Sequence, residues 1–180
     1  MNIPKLLSSE KKISILNHII FKTRPILISN IGRELNISDG YISKYFNNLT
    51  QESVLAKSVK GFVVQENLIV EILKILLNLI SIDTKIFKKY SFIKSVGLYG
   101  SMVKGKNTEL SDIDMWIFIN KTEETKLAKL TQELKKKYSK INLLLLTPEN
   151  IQTLKKEDPV FYYSLYFGSI IIWGDGLEHV

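Results

Sequence analysis

Two aspartates separated by one residue, Asp112 and Asp114, are the clearest candidates for chemistry in this chain. On a strand, residues i and i+2 face the same way. Both carboxylates would then point to one side while Ile113 enters the core. Parallel carboxylates repel unless a cation sits between them, and hard oxygen ligands beside a polyphosphate suit Mg²⁺. Upstream, with ten residues between, stands Gly100-Ser101 at the end of an apolar run. Glycine lets a phosphate approach the backbone because no Cβ intervenes. A helix starting there would aim its free N–H groups at that phosphate, and the Ser101 hydroxyl adds a donor. Lys104 and Lys106, in the intervening loop, could neutralise phosphate charge. An Asp-x-Asp or a Gly-Ser alone is common; their joint spacing carries the signal. The chemistry is that of a two-metal clamp, in which one ion holds the triphosphate and leaving group and the other activates the attacking oxygen.

These residues need a scaffold, and the pattern from residue 91 onward supplies one. "IKSVGLYG" reads as a strand ending in glycine and "DIDMWIFIN" as a second strand. "KTEETKLAKLTQELKKKYSK" is a long charged amphipathic helix whose Lys135-Lys136-Lys137 meets the C-terminal dipole. "INLLLLT" is a third strand, two helical candidates follow, and "IIIWG" is a short last strand. The class is α/β (α+β in layout), with a small mixed sheet flanked by helices over residues 91–180. Trp116, Trp173 and the Tyr162, Tyr163, Tyr166, Phe167 group are expected to pack in or near the core.

The first half is built differently. Its net charge is +6 against +1 for residues 91–180, which suggests that it meets a polyanion. Ile13 to Phe21 reads as a helix, and a second short helix follows Pro25. After the turn "NISDG", where Ser38 or Asp39 can cap, a third helix from Gly40 to Leu49 buries Ile42, Phe46 and Leu49. It leaves Tyr41, Ser43, Lys44, Asn47 and Asn48 outside. Two short apolar runs flanking Lys60-Gly61 read as a β-hairpin. This order resembles the winged helix-turn-helix families over roughly residues 8–65, within an expected domain of residues 1–65, by pattern and not by any invariant motif. The resemblance implies double-stranded DNA contact through Tyr41, Ser43, Lys44 and Asn47, with Lys57 and Lys60 on the wing. Residues 66–90 are expected to be connecting helices, apolar nearly all round and therefore buried, between domains or in a homodimer.

Gly100-Ser101 followed by Asp112-Ile113-Asp114 resembles the Gly-Ser…Asp-x-Asp motif of the DNA polymerase β-like nucleotidyltransferase superfamily. "LYGSMVKG" and "SDIDMWIF" are similar to its minimal members, with Lys104 where a basic residue is common. The resemblance implies a nucleotidyltransferase domain in which Gly100, Ser101 and Lys104 hold an NTP, with ATP the expected donor. Asp112 and Asp114 would be catalytic and hold Mg²⁺. The reaction implied is transfer of a nucleoside monophosphate to an acceptor, which the resemblance allows to be another protein, an RNA end or a small hydroxylated molecule. Minimal members are often the antitoxin half of a pair with a HEPN-type toxin, which they modify with AMP. The third carboxylate of the family falls at Asn142, which offers a carbonyl oxygen but no charge. Mg²⁺-NTP binding is thus expected, with turnover an open question. The alternative is a DNA-binding regulator or antitoxin whose nucleotidyltransferase domain only binds nucleotide or is inactive.

Several classes are excluded. With no cysteine there is no disulfide, thiolate site or catalytic thiol. His18 and His179 have no spacing partner. The N-terminus lacks the apolar stretch of a secretory signal. The apolar segment 68–80 is interrupted by Glu71, Lys74 and Asn78, so no membrane span is expected and a cytoplasmic location is.

Overall fold

The structure is a computed structural model describing residues 3–177, and His179 lies outside the described residues. It divides into two compact units, residues 1–77 with 107–110, and residues 78–106 with 111–180. Each unit has a core of its own.

In the first unit, helix α1 (Ile3–Leu7), absent from the expectations above, precedes α2 (Glu10–Ile19), α3 (Ile28–Leu35) and α4 (Asp39–Gln51). Ser9 caps α2 by accepting from the Lys12 N–H. Helix α3 starts three residues later than Pro25 suggests. Pro25 fixes an extended entry, and Ile26 exchanges backbone bonds with Phe62 instead. Ser38 is the N-cap residue of α4, but its side chain makes no capping bond. Ile42, Phe46 and Leu49 are buried, joined by Tyr45, whose hydroxyl donates to the Leu6 carbonyl at 2.8 Å. Tyr41 and Ser43 are only partly exposed, because Tyr41 packs on this core; its hydroxyl lies 3.3 Å from Ser9 Oγ.

Strands β1 (Leu55–Ser58) and β2 (Gly61–Val64) form an antiparallel hairpin. Its two-residue loop is Val59-Lys60, one position earlier than expected. The register pairs Ser58 with Gly61, whose φ of +129° suits glycine alone. Segment 107–110 belongs to this unit, with the Glu109 N–H donating to the Phe21 carbonyl at 2.9 Å.

Helix α5 (Leu68–Ser81) is not buried all round. Val70, Leu73 and Leu77 enter the first core, whereas Leu68, Ile72, Leu76 and Ile80 form an exposed i, i+4 stripe. Hydrophobicity on every face does not bury every face, because one helix offers only part of its circumference to a core. A 3₁₀ helix, Thr84–Lys89, follows.

The second unit is a four-stranded mixed sheet of order β5-β4-β3-β6. Its strands are β3 (Ile93–Leu98), β4 (Ile113–Ile119), β5 (Ile141–Leu146) and β6 (Ile170–Gly174). β4 and β5 are parallel, joined by α6 (Glu124–Lys137), and the other pairings are antiparallel. Parallel neighbours need a crossover, and α6 is that crossover. Met115, Ile117 and Ile119 face one core with Leu130 and Leu134 of α6. Trp116 and Leu146 face the other, covered by α7 (Pro148–Glu157) and α8 (Pro159–Gly168). Trp116 and Tyr162 are buried as expected. Tyr163 and Phe167 are exposed, because consecutive helical positions cannot all face one sheet. Among the described residues no helix is long and apolar enough to cross a membrane.

Candidate active site

The site forms where β3 ends and β4 and β5 begin. Asp112 immediately precedes β4, and Asp114 is the second residue of β4. Trp116, two residues beyond Asp114, faces the core under α7 and α8, so alternation puts the carboxylate on that side. Ile113 packs against the opposite core.

The parallel register sets Asp114 beside Asn142. The Asn142 amide donates to Asp112 Oδ2 at 3.4 Å and to Asp114 Oδ1 at 3.2 Å. Two acids far apart from Asn142 in sequence are thus joined to it by one crossover. The amide N–H groups offset part of the repulsion between the carboxylates, and the pair remains acceptor-rich.

Gly100 closes the site from the β3 side. Its φ is +72°, and a Cβ there would lie 2.3 Å from Asp114 Oδ2. The Tyr99 N–H donates to the Asp114 carbonyl at 3.0 Å, tying the loop to the strand. Glycine is therefore required twice, by backbone conformation and by the approach of the carboxylate.

No regular helix starts at Ser101, contrary to expectation. Residues 101–105 make a single turn. The Lys106 N–H bonds the Ser101 carbonyl at 3.0 Å and the Gly105 N–H the Met102 carbonyl at 3.4 Å. With Gly105 at φ +64°, this is the Schellman pattern that ends helices. The glycine stops the helix after one turn. Ser101, half-buried, and Lys104, exposed, lie on this turn.

Tyr99 is the neighbour that spacing did not reveal. It is partly buried, edge-on to Phe161 of α8 with ring centroids 6.5 Å apart. Burial, and secondarily the Asp114 charge, push its phenol pKa up. The only sequence signal is its place beside the Gly-Ser pair.

The residues fit a Mg²⁺ ion. Among the described residues no group of three His, Cys, Asp or Glu side chains gathers, so there is no dedicated cage. Mg²⁺ is commonly held by one or two carboxylates with waters and substrate phosphates completing the shell. Asp112 and Asp114 supply such a pair, and Asn142 can turn its carbonyl oxygen toward it. Glu149 follows the other end of β5, on the first turn of α7, and lines a separate cleft of about 660 Å³ with Lys94, Phe118 and Asn120.

The proposed DNA-contacting residues belong to the other unit. Lys44 and Asn47 on α4 and Lys57 and Lys60 on the hairpin are exposed, and Tyr41 and Ser43 partly so. His18, given no partner above, lies 2.5 Å from Glu34 on α3. Its hydrogen bond holds the Glu34 carboxyl below the usual range.

Comparison with known proteins adds an independent finding. The family model described as "Polymerase beta, Nucleotidyltransferase" matches residues 84–175. A solved structure of "a putative nucleotidyltransferase from Sulfolobus solfataricus" aligns over 61% of this chain and 90% of its own, at 12% sequence identity and a TM-score of 0.37. No curated protein matches significantly in sequence.

Proposed function

Because this chain belongs to the polymerase beta nucleotidyltransferase family, we propose that it transfers a nucleoside monophosphate from a Mg²⁺-bound NTP to an acceptor hydroxyl, releasing pyrophosphate. The observation that carries the reading is the convergence of Gly100, Asp112, Asp114 and Asn142 at one end of the sheet. Gly100 leaves room for the Asp114 carboxylate beside the loop, and its backbone would meet a phosphate oxygen. The Ser101 hydroxyl donates to it, and Lys104 balances its charge. Asp112 and Asp114 hold the metal, and Asn142 sets the direction of both carboxylates. Bound Mg²⁺ would supply Lewis-acid stabilisation of the phosphoryl oxygens. With Asn142 in the third position, no carboxylate there takes the proton of the attacking hydroxyl, so slow turnover is expected.

The proposed donor is ATP. The proposed acceptor is a partner protein in the cytoplasm, a HEPN-type toxin in a toxin–antitoxin pair. Both rest on the resemblance to minimal members of the family.

Calorimetric titration of each NTP, with and without Mg²⁺, tests the site. Binding that requires Mg²⁺ and disappears in an Asp112→Asn/Asp114→Asn variant is expected. A folded wild type that binds no NTP would remove the reading.

A second reading has its own support. The helices α2, α3 and α4, the β1–β2 hairpin and the Ile26–Phe62 bridge suit a winged helix. We propose that α4 enters a DNA major groove through Lys44 and Asn47, flanked by Tyr41 and Ser43. Lys57 and Lys60 would grip phosphate. In this reading the chain is a DNA-binding regulator or antitoxin whose nucleotide site only binds. DNA affinity that falls steeply with salt supports it, and undetectable duplex binding at low salt would discard it.

A further inference from the structure

Helix α8 and strand β6 leave two features unsatisfied on the same unit. Successive turns of α8 bury Tyr162 and Leu165. The outer face presents Val160, Tyr163 and Phe167, which are 80%, 54% and 77% exposed. The rings of Tyr163 and Phe167 stack at 5.9 Å. Monomeric proteins rarely expose clustered large apolar groups without a use for them.

The second feature is the free edge of the sheet. β6 ends the order β5-β4-β3-β6, so no described strand pairs with its outer side. The register against β3 skips Ile172. This bulge turns both Ile172 and Trp173 toward the core that also holds Ile117. Ile171, opposite Gly97, lies on the α8 side and is 41% exposed. An open apolar edge is a template for another strand, and proteins usually guard it with charge. Here Val160 through Gly174 carries no charged side chain.

We propose that this surface is the interface with a second copy of the same chain, formed by antiparallel pairing of β6 with its symmetry mate. A two-fold axis perpendicular to the sheet at that edge reverses the strand direction, as antiparallel pairing requires. The same axis keeps both copies of α8 on one side of the continuous sheet. One operation therefore satisfies the backbone edge and sets both copies of α8 over the same face of the shared sheet. The charge pattern favours a second copy. A chain of net charge +7 repels itself, and a stretch without lysines is where two copies can meet. The stretch has no cation of its own with which to hold nucleic acid, and the neighbouring Lys88 and Lys155 ammonium groups are set over the Trp173 and Tyr162 rings. Interfaces of standard size bury about 800 Å² per partner around an aromatic-rich apolar centre, and α8 with β6 supplies such a centre.

Sedimentation velocity of the full chain over a concentration series tests this without reference to nucleotide. The wild type is expected to be a dimer. Phe167→Glu and Ile171→Lys should each raise the dimer dissociation constant by about tenfold or more, with unchanged circular dichroism. Leu68→Glu, on the exposed stripe of α5, should leave it unaltered. Because the chain has no cysteine, single thiols give a second measurement that does not depend on those variants folding. Phe167→Cys should form a covalent dimer with a short bis-maleimide, and Leu68→Cys should not. A wild type that stays monomeric to its solubility limit overturns the proposal, and so does cross-linking through Leu68→Cys alone. A dimer that survives both Phe167→Glu and Ile171→Lys overturns it as well.

Discussion

At the scale of residues, the site depends on what two side chains lack. Gly100 lacks a Cβ, and Asn142 lacks a charge. Gly100→Ala would put a methyl group 2.3 Å from Asp114 Oδ2 on a backbone at φ +72°. The left-handed conformation alone costs about 1–2 kcal/mol, and the carboxylate must also move. The expected outcome is a lower denaturation midpoint together with lost Mg²⁺-NTP binding, read by urea titration and calorimetry. Asn142→Asp replaces the amide that bridges Asp112 and Asp114 with a third charge. It should tighten Mg²⁺ binding by about tenfold or more, equivalent to about 1.4 kcal/mol. An unchanged Mg²⁺ affinity in that variant would show that position 142 does not face the cation.

At the scale of elements, α4 and the hairpin each carry a test. The Tyr45 hydroxyl donates to the Leu6 carbonyl inside the first core, and burial pushes its pKa above the ordinary phenol value. A group whose folded pKa is raised contributes stability that is complete below its unfolded pKa, about 10 for tyrosine. That contribution is lost as pH rises from there through the folded pKa. The urea midpoint should therefore fall as pH rises above about 10, and fall less in Tyr45→Phe. At neutral pH the same variant leaves the Leu6 carbonyl without its donor and should cost about 1–2 kcal/mol. On the hairpin, Lys57 of β1 and Lys60 of the loop are exposed. If they grip phosphate, removing each should weaken duplex binding across sequences and reduce the salt slope by about 1. An unaltered slope would assign the hairpin another role.

At the scale of the molecule, two units with separate cores predict two unfolding transitions in calorimetry. Mg²⁺-NTP should raise only the one belonging to residues 78–106 and 111–180, since a ligand stabilises what it binds. A single transition that shifts as a whole would mean the units unfold together.

The strands and most helices of both units were legible from residue order alone, because a period of two or 3.6 is a local property. Ile93–Leu98, Ile113–Ile119 and Ile141–Leu146 are strands because their apolar runs are bounded by turns and a charged helix. The pairing of Asp112 with Asp114 was legible for the same reason. Other features depended on contacts distant in the chain. Asn142 bonds both aspartates because β5 lies parallel to β4 in a register set by both cores. The expected helix at Ser101 became one turn because Gly105 ends it with positive φ. Only packing sorted the apolar residues of α5 and α8 into buried and exposed faces, since a helix that is hydrophobic all round does not say which side meets the core.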